Sequence, residues 1–306
     1  MGTGDPYGGV MPQGLVVLLA LLAAVCSAIG IVVRQRATVE VPHEQGVSTA
    51  MLATLVRNRL WWAGTAASIA GYACQALALT HGSLLLVQPL LVSSLLFALP
   101  LSAWLAHRRV TAREWAWALM LTIALAVFVV VAQARPGHPH SQLAAWSAAT
   151  VVIAPLVVLC VAFAVRTSGR QRAVLLAAAV AVLFGVVAVL TKITMHKLAD
   201  EGLFATLKIP APYLLVVLAV LATMLQQSAF HAGALQVSVP TMLVLEPLVA
   251  VALGTFVLGE HLAVSGVAAV ALLIAVVGMA AAAIALGREE GAYEEQLEAA
   301  VAQRSP

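Results

Sequence analysis

The sequence predicts an all-α integral membrane protein: a helical bundle of two inverted repeats, with about nine transmembrane helices plus one short interfacial helix. Three observations carry this expectation. The first is composition. Of 306 residues, 62% are hydrophobic and only 9% are charged, with a mean hydropathy of +1.02. A soluble domain is roughly 25% charged, so this chain cannot face water all round. The second is run length. A spanning helix needs about 20 apolar residues, each rising ~1.5 Å through a ~30 Å hydrocarbon core. Nine segments qualify: 12–33, 60–80, 84–106, 112–134, 143–165, 172–196, 211–235, 240–258 and 263–286. The runs are long and unbroken, whereas barrel strands would be ~10 residues of alternating character. The third is an internal echo. A shift of 151 residues places Gln75 on Gln226, Ala78 on Ala229, Gly82 on Gly233, Leu84 on Leu235 and Pro89 on Pro240. The shared pattern falls at the same helix–turn–helix corner in each copy, so it reads as a duplication.

Taken in order, residues 1–11 form an extracytoplasmic tail containing Asp5 and no Lys or Arg. The basic region that precedes a cleaved signal is missing, so 12–33 is expected to be a retained helix. Residues 47–56 are apolar but short, bracketed by Glu44 and Gln45 before and by Arg57, Asn58 and Arg59 after. They read as a short helix at the inner interface. The first repeat is expected over 12–134 and the second over 143–286. The stretch from Gln226 to Glu260 reads as one apolar helix, a tight turn at 236–239 and a second helix opened by Pro240. Residues 287–306 form a cytoplasmic acidic tail, either a solvated helix or without fixed structure. Cys26, Cys74 and Cys160 lie in apolar runs without metal-type spacing and read as small buried hydrophobes.

Orientation follows from the basic residues. With the N-terminus outside, twelve arginines (34, 36, 57, 59, 108, 109, 113, 166, 170, 172, 288 and 304) fall inside. Only Arg135, Lys192, Lys197 and Lys208 fall outside. The positive-inside bias therefore predicts a multi-pass plasma-membrane protein, N-terminus outside and C-terminus cytoplasmic. Four spans separate helix 60–80 from its counterpart 211–235, so the two cross in opposite directions. Inverted repeats of this kind are a transporter signature, with the site between the halves.

The motifs RRVTAREW (108–115) and VLGEHLAVSGV (257–267) each follow a proline-bearing apolar run. They resemble the paired corners of EamA-like transporters of the drug/metabolite transporter superfamily. The run LWWAG (60–64), with the short 47–56 segment before it, is similar to the NIPA-like branch, which includes proposed magnesium transporters. The resemblance covers about residues 12–286 and implies two inverted five-helix repeats. The chain departs from that pattern at 47–56, too short for a span. It departs again at Arg108–Arg109, which stand where Gly259–Glu260 stand in the second copy.

Ionisable groups inside a bilayer cost about 2.5–3.5 kcal/mol at its centre, so each needs a reason. Glu246 is the one acid well inside a long apolar run. If Pro240 opens its helix, Glu246 lies about 9 Å below the inner surface. It reads either as a carboxylate coupling a proton or cation, or as a structural acid bonded to a neighbouring helix. Gln227 and His231 share a helix face with Thr223 and bracket that depth, so a Gln227–His231–Glu246 cluster is allowed. Alternatively His231 touches headgroups, and Gln226 and Gln227 glue helices together. In the first repeat Tyr72, Gln75, Gln88, Ser93 and Ser94 occupy the mirrored region, and Leu95 aligns with Glu246. Lys192, four residues before His196, either snorkels outward or marks the mouth of a substrate path. Glu260 and His261 are expected to be solvated. The candidate substrate and coupling-ion residues are thus Glu246, Gln227, His231, Gln226, Gln75, Ser94 and Lys192.

These features predict a secondary transporter of a small metabolite or drug-like compound, working by alternating access. No nucleotide-binding glycine loop appears. Magnesium transport, implied by the NIPA-like features, would rest on one intramembrane carboxylate with amide, hydroxyl and carbonyl oxygens, a thin ligand set. An intramembrane enzyme would need paired acids, a metal set or a nucleophile with its base; no HExxH motif appears, and the acids do not cluster within the spans. A membrane assembly protein remains the other non-transport class. No cofactor and no metal centre are expected. The expected partners are the lipid bilayer and a small-molecule or ion substrate, with a homodimer allowed and no nucleic acid.

Overall fold

The computed structural model describes residues 13–39, 58–105, 109–132, 134–135, 143–232, 235–262 and 264–302. The expected interfacial helix at 47–56 lies outside them. The described helices are α1 (Gln13–Val39), α2 (Arg59–His81), α3 (Leu84–Leu91), α4 (Ser94–Leu105), α5 (Ala112–Val131), α6 (Leu143–Arg166), α7 (Gly169–Thr206), α8 (Ala211–His231), α9 (Leu235–Leu258) and α10 (Val267–Ala302). The one sheet among them is a two-residue antiparallel pair, β1 (Ala134–Arg135) with β2 (His261–Leu262). Seven spans are long and apolar enough to cross a membrane: α1, α3 with α4, α5, α6, α7, α9 and α10. Helix α8 carries a shorter apolar stretch, Ala211–Gln226, and α2 is 23 residues long. Large apolar side chains stand exposed around the outside, among them Val151, Val152, Leu156 and Phe163 on α6 and Val216, Val217 and Val220 on α8. Such a surface suits lipid rather than water. The chain is an all-α, multi-pass membrane protein.

Helices α7 and α3 form the centre. Every residue from Leu84 to Leu90 is buried, and so is most of α7 from Ala173 to Leu190. Helix α7 packs along α9, α8 and α6, and α1 packs along α2 and α4. Helix α10 lies against α5 and α9, and α9 also touches α3. At Gly185 the α7 and α9 backbones approach closely. A Cβ there would lie 2.6 Å from Val249 Cγ1 and 3.2 Å from the Ala250 nitrogen. Glycine at this position lets two apolar helices meet without a side chain between them.

The two ends of the bundle are built from different parts of the chain. One end holds the start of α1, the α2–α3 turn at Gly82–Ser83 and the β1–β2 pair after α5 and α9. Val16 packs against Gly82 there. The other end holds the starts of α5 and α9 and residues 287–289 of α10. There Gly287 packs against Pro240, and Arg113 Nε lies 3.4 Å from Glu289 Oε1. Thr111 and Glu114 close a reciprocal capping box on α5.

Three expectations are corrected. The span 84–106 is not one helix but breaks at Val92–Ser93. Pro89 has no N–H for the Leu85 carbonyl, and the chain tightens into i→i−3 bonds, Val92 N to Pro89 O at 3.2 Å and Ser93 N to Leu90 O at 3.0 Å. The turn expected at 236–239 is helical. Helix α9 begins at Leu235, so Pro240 sits inside it rather than opening it. Thr241 Oγ1 donates to Val237 O at 2.6 Å beside that proline. Span 172–196 runs on to Thr206 through a kink at Gly202, where φ is +79°. Of the two readings of the acidic tail the structure takes the helix, since α10 continues to Ala302.

Candidate functional site

The strongest polar cluster lies at the Gly82 end. Lys192, near the close of the buried part of α7, donates through Nζ to Gly82 O at 2.6 Å and to Glu260 Oε1. Glu260 Oε2 accepts from Ser83 Oγ at 2.7 Å and from the Leu85 N–H at 3.2 Å. Three stretches of chain therefore converge on one carboxylate. Each is placed for a local reason. Ser83 caps α3, its Oγ also accepting from Leu85 N at 3.0 Å. The first turn of α3 presents free N–H groups and a positive helix end to the carboxylate. Helix α9 ends through Gly259 at φ +66°, and Glu260 N reaches back to Gly254 O at 3.0 Å. That reversal turns the Glu260 side chain inward. Gly254 leaves the space it fills, since a Cβ there would lie 3.1 Å from Oε2.

The pair is deeply set. The Glu260 side chain is fully buried and that of Lys192 is 14% exposed. A buried pair is secure only when its remaining atoms are also bonded, and both carboxylate oxygens have partners here. Lys192 therefore does not snorkel, and Glu260 is not solvated; His261 is exposed as expected. Beyond the pair, α7 turns polar. His196 Nδ1 lies 3.3 Å from Thr80 O, its Nε2 lies 3.4 Å from Asp200, and Lys197 bonds Glu201.

A second set of polar groups lies deeper in the bundle without partners among the described residues. Gln88 and Ser93 are each 1% exposed, and neither Gln88 Nε2 nor Ser93 Oγ has a hydrogen bond among the described residues. Gln88 precedes the α3–α4 break by a turn, and Ser93 lies in it. Glu246 is half-buried on α9 and also has no hydrogen bond among the described residues. It shares a stripe with Val249 and Ala250, the residues that meet Gly185 of α7. Its depth can be fixed from the contact of Gly254 with Leu84 and Leu85. From that contact Glu246 lies eight residues back along α9, and Ser93 lies eight residues beyond Leu85 along α3. The helices are antiparallel, so both positions fall about 12 Å below the Gly82 end. The break and the lone acid face the same level of the bundle.

The other candidates are not gathered into one cluster. Gln226 Nε2 points to Met242 Sδ at 3.9 Å, between α8 and α9 one turn before Glu246. The side chains of Gln227 and His231 lie outside the described residues, and with them the proposed Gln227–His231–Glu246 cluster. Gln75 is half-buried on α2 and Ser94 half-buried at the start of α4, neither with a hydrogen bond among the described residues. Among the described residues no three His, Cys, Asp or Glu side chains come together as a metal site. The three cysteines are free and half-buried.

Glu260, Ser83, Gln88 and Ser93 are the residues that reading the sequence undervalued. One signal for Glu260 was available. A lysine in the run AVLTKIT demands an anion at its depth, and Gly259 before an acid at a helix end is a turn that can aim it inward.

No family model and no solved structure matches the chain. An uncharacterized protein of Corynebacterium glutamicum is 36% identical over 274 residues, covering 90% of this chain and 95% of that protein. The match takes in most of both chains, and the chain belongs to the same family as this corynebacterial protein.

Proposed function

We propose that the protein is a secondary transporter that moves a small solute across the membrane by alternating access. The observation that carries this reading is the level shared by the α3–α4 break and Glu246. Ser93 and Glu246 stand there, with Gln88 five residues nearer the Gly82 end on α3, in an apolar core with no partner among the described residues. Polar groups left unsatisfied in a protein interior cost about 1–3 kcal/mol each. A fold keeps them when a ligand is to use them. Discontinuous helices near the bilayer midplane are where carriers bind substrate and coupling ions.

The direction of the helices supports the same reading. Helices α3 and α9 carry the echoed prolines, Pro89 and Pro240, and run in opposite directions through the bundle. Inverted repeats over 12–134 and 143–286 fit this arrangement, with nine passes, the N-terminus and the Gly82 end outside, and the C-terminus in the cytoplasm. Glu246 then serves as the carboxylate that takes up a proton or cation, and the Lys192–Glu260 pair closes the outer mouth. Counterflow of radiolabelled solutes in proteoliposomes, run over a broad panel of small metabolites, tests transport. Saturable exchange that Ser93→Ala and Glu246→Gln impair is expected. A purified, folded protein that exchanges nothing across the panel sinks the reading.

A further inference from the structure

We propose that the cradle around Glu260 is a recognition site for a small organic carboxylate, and that Glu260 occupies it as a built-in stand-in for the substrate. The inference rests on the transporter reading and names its substrate class. Three donors surround the carboxylate: Lys192 Nζ, the Ser83 hydroxyl and the Leu85 N–H. The positive end of α3 adds to them. This is a complete set for one carboxylate, and a ligand with the same group finds the same partners.

The two sides of the pair differ in how they are held. Lys192 sits on the central helix α7, and Ser83 and Leu85 sit at the buried start of α3. Glu260 instead follows the end of α9, on the turn through Gly259 that leads into the two-residue β2. The donors are fixed in the core and the acceptor is carried on a connecting turn. When the mouth opens, the turn is the part free to move.

Opening then raises a charge problem. Withdrawing Glu260 alone would leave the Lys192 ammonium uncompensated in a buried position, which is strongly unfavourable. A substrate carboxylate that enters as Glu260 leaves keeps Lys192 paired throughout. The exchange conserves hydrogen bonds and charge, so the mouth opens only to the right chemical class. A cationic substrate would have to displace Lys192 from the central helix and would leave the Ser83 and Leu85 donors facing a cation. The donor set therefore favours an anion.

The test is binding by the purified full-length protein in detergent, read as thermal unfolding. Sodium acetate, butanoate and benzoate are titrated at constant ionic strength against sodium chloride, with choline chloride as the cation arm. A saturable rise in Tm with at least one carboxylate and none with choline is expected. Glu260→Gln weakens the internal competitor, so its apparent affinity should tighten about tenfold. Ser83→Ala should weaken binding. The neutral double variant Lys192→Gln/Glu260→Gln, which strands no charge, should lose it. The proposal is overturned if no carboxylate gives a saturable shift in the wild type or in Glu260→Gln. It is equally overturned if the shift survives the double variant, or if choline alone binds. Because binding is read without a membrane, carboxylate binding in a protein that exchanges nothing would count against transport only. Exchange of neutral or cationic solutes without carboxylate binding would count against this inference only.

Discussion

Two glutamates belong to the same stretch of chain and have opposite surroundings. Glu246 lies within α9, in the middle of an apolar span, half-buried and without a hydrogen bond among the described residues. Glu260 lies just past the end of that helix, where solvent would be expected, yet its side chain is fully buried and both its oxygens are bonded. Depth in the sequence of a span is therefore a poor guide to how an acid is held. What decides is whether a cation and oriented donors from other helices reach it. Glu260 has Lys192 and the start of α3. Glu246 has the apolar stripe that meets α7 at Gly185. One acid is tied into the architecture, and the other is left available.

The largest expected effect breaks the tied acid. Lys192→Gln leaves Glu260 buried without its cation, a change that costs about 3–5 kcal/mol. Thermal unfolding in detergent should show a large fall in Tm for this variant. The double variant with Glu260→Gln should recover most of the loss, because it removes the stranded charge. A single variant as stable as wild type would mean that the pair is solvated in the membrane and holds nothing together.

The next effect falls between the two acids. In Gly185→Val the new Cβ would lie 2.6 Å from Val249 Cγ1 and 2.9 Å from its Cβ. Overpacking of this kind costs about 1–3 kcal/mol. Helix α9 should be pushed from α7 near Glu246 while the Lys192 knot, farther along both helices, stays closed. Cysteine labelling of a Glu246→Cys reporter should then rise in the Gly185→Val background. Unchanged labelling and stability would show that the close crossing is not a constraint.

Much of the fold could be read in the sequence because apolar run length is a strong signal. All seven spans fall on runs the sequence marks. The ends of the elements were less legible. Pro240 reads as a helix opener, but it stands only five residues into α9, within the first turns where a missing N–H costs one i→i−4 bond, and the helix forms around it. The α3–α4 break is marked only by Gln88–Pro89 and Ser93–Ser94 in an otherwise apolar run, so averaged hydropathy passes over it. The site was legible only in part. Lys192 and Glu246 stand out because charge is rare in apolar runs. The partner of Lys192 is 68 residues away, and no local pattern joins a lysine on one helix to the turn after another. Ser83 and the Leu85 N–H contribute through the geometry of a helix start, which a sequence shows only as a possible cap.

A smaller effect, of opposite sign, concerns the unpartnered groups. Gln88 is 1% exposed and its Nε2 has no partner among the described residues. Replacing it by leucine removes a polar group that is already unsatisfied, so Gln88→Leu should stabilise the protein by about 1 kcal/mol. Transport should fall at the same time, as expected where stability has been given up for function. A destabilised Gln88→Leu would show that the amide has a partner in the membrane, and would move the site away from the α3–α4 break.

The smallest effect on stability belongs to Glu246, and it is the sharpest test of the contrast. Glu246→Gln keeps the shape and removes the ability to hold a proton or a charge. Since the carboxylate makes no hydrogen bond among the described residues, the change in stability should stay within about 0.5 kcal/mol. Coupled uptake or efflux should nevertheless be lost if this carboxylate carries the coupling proton or cation. Exchange of substrate across the membrane should survive, because a loaded carrier can reorient without releasing the coupling ion. Three measurements on one variant therefore separate the roles: Tm, gradient-driven transport and counterflow. Normal Tm with lost driven transport and retained counterflow assigns coupling to Glu246. A fall in Tm with transport reduced in proportion would make it a structural acid. Full driven transport at normal Tm would remove Glu246 from the mechanism and leave Lys192 and the Gly82 end as the only charged elements of the path among the described residues.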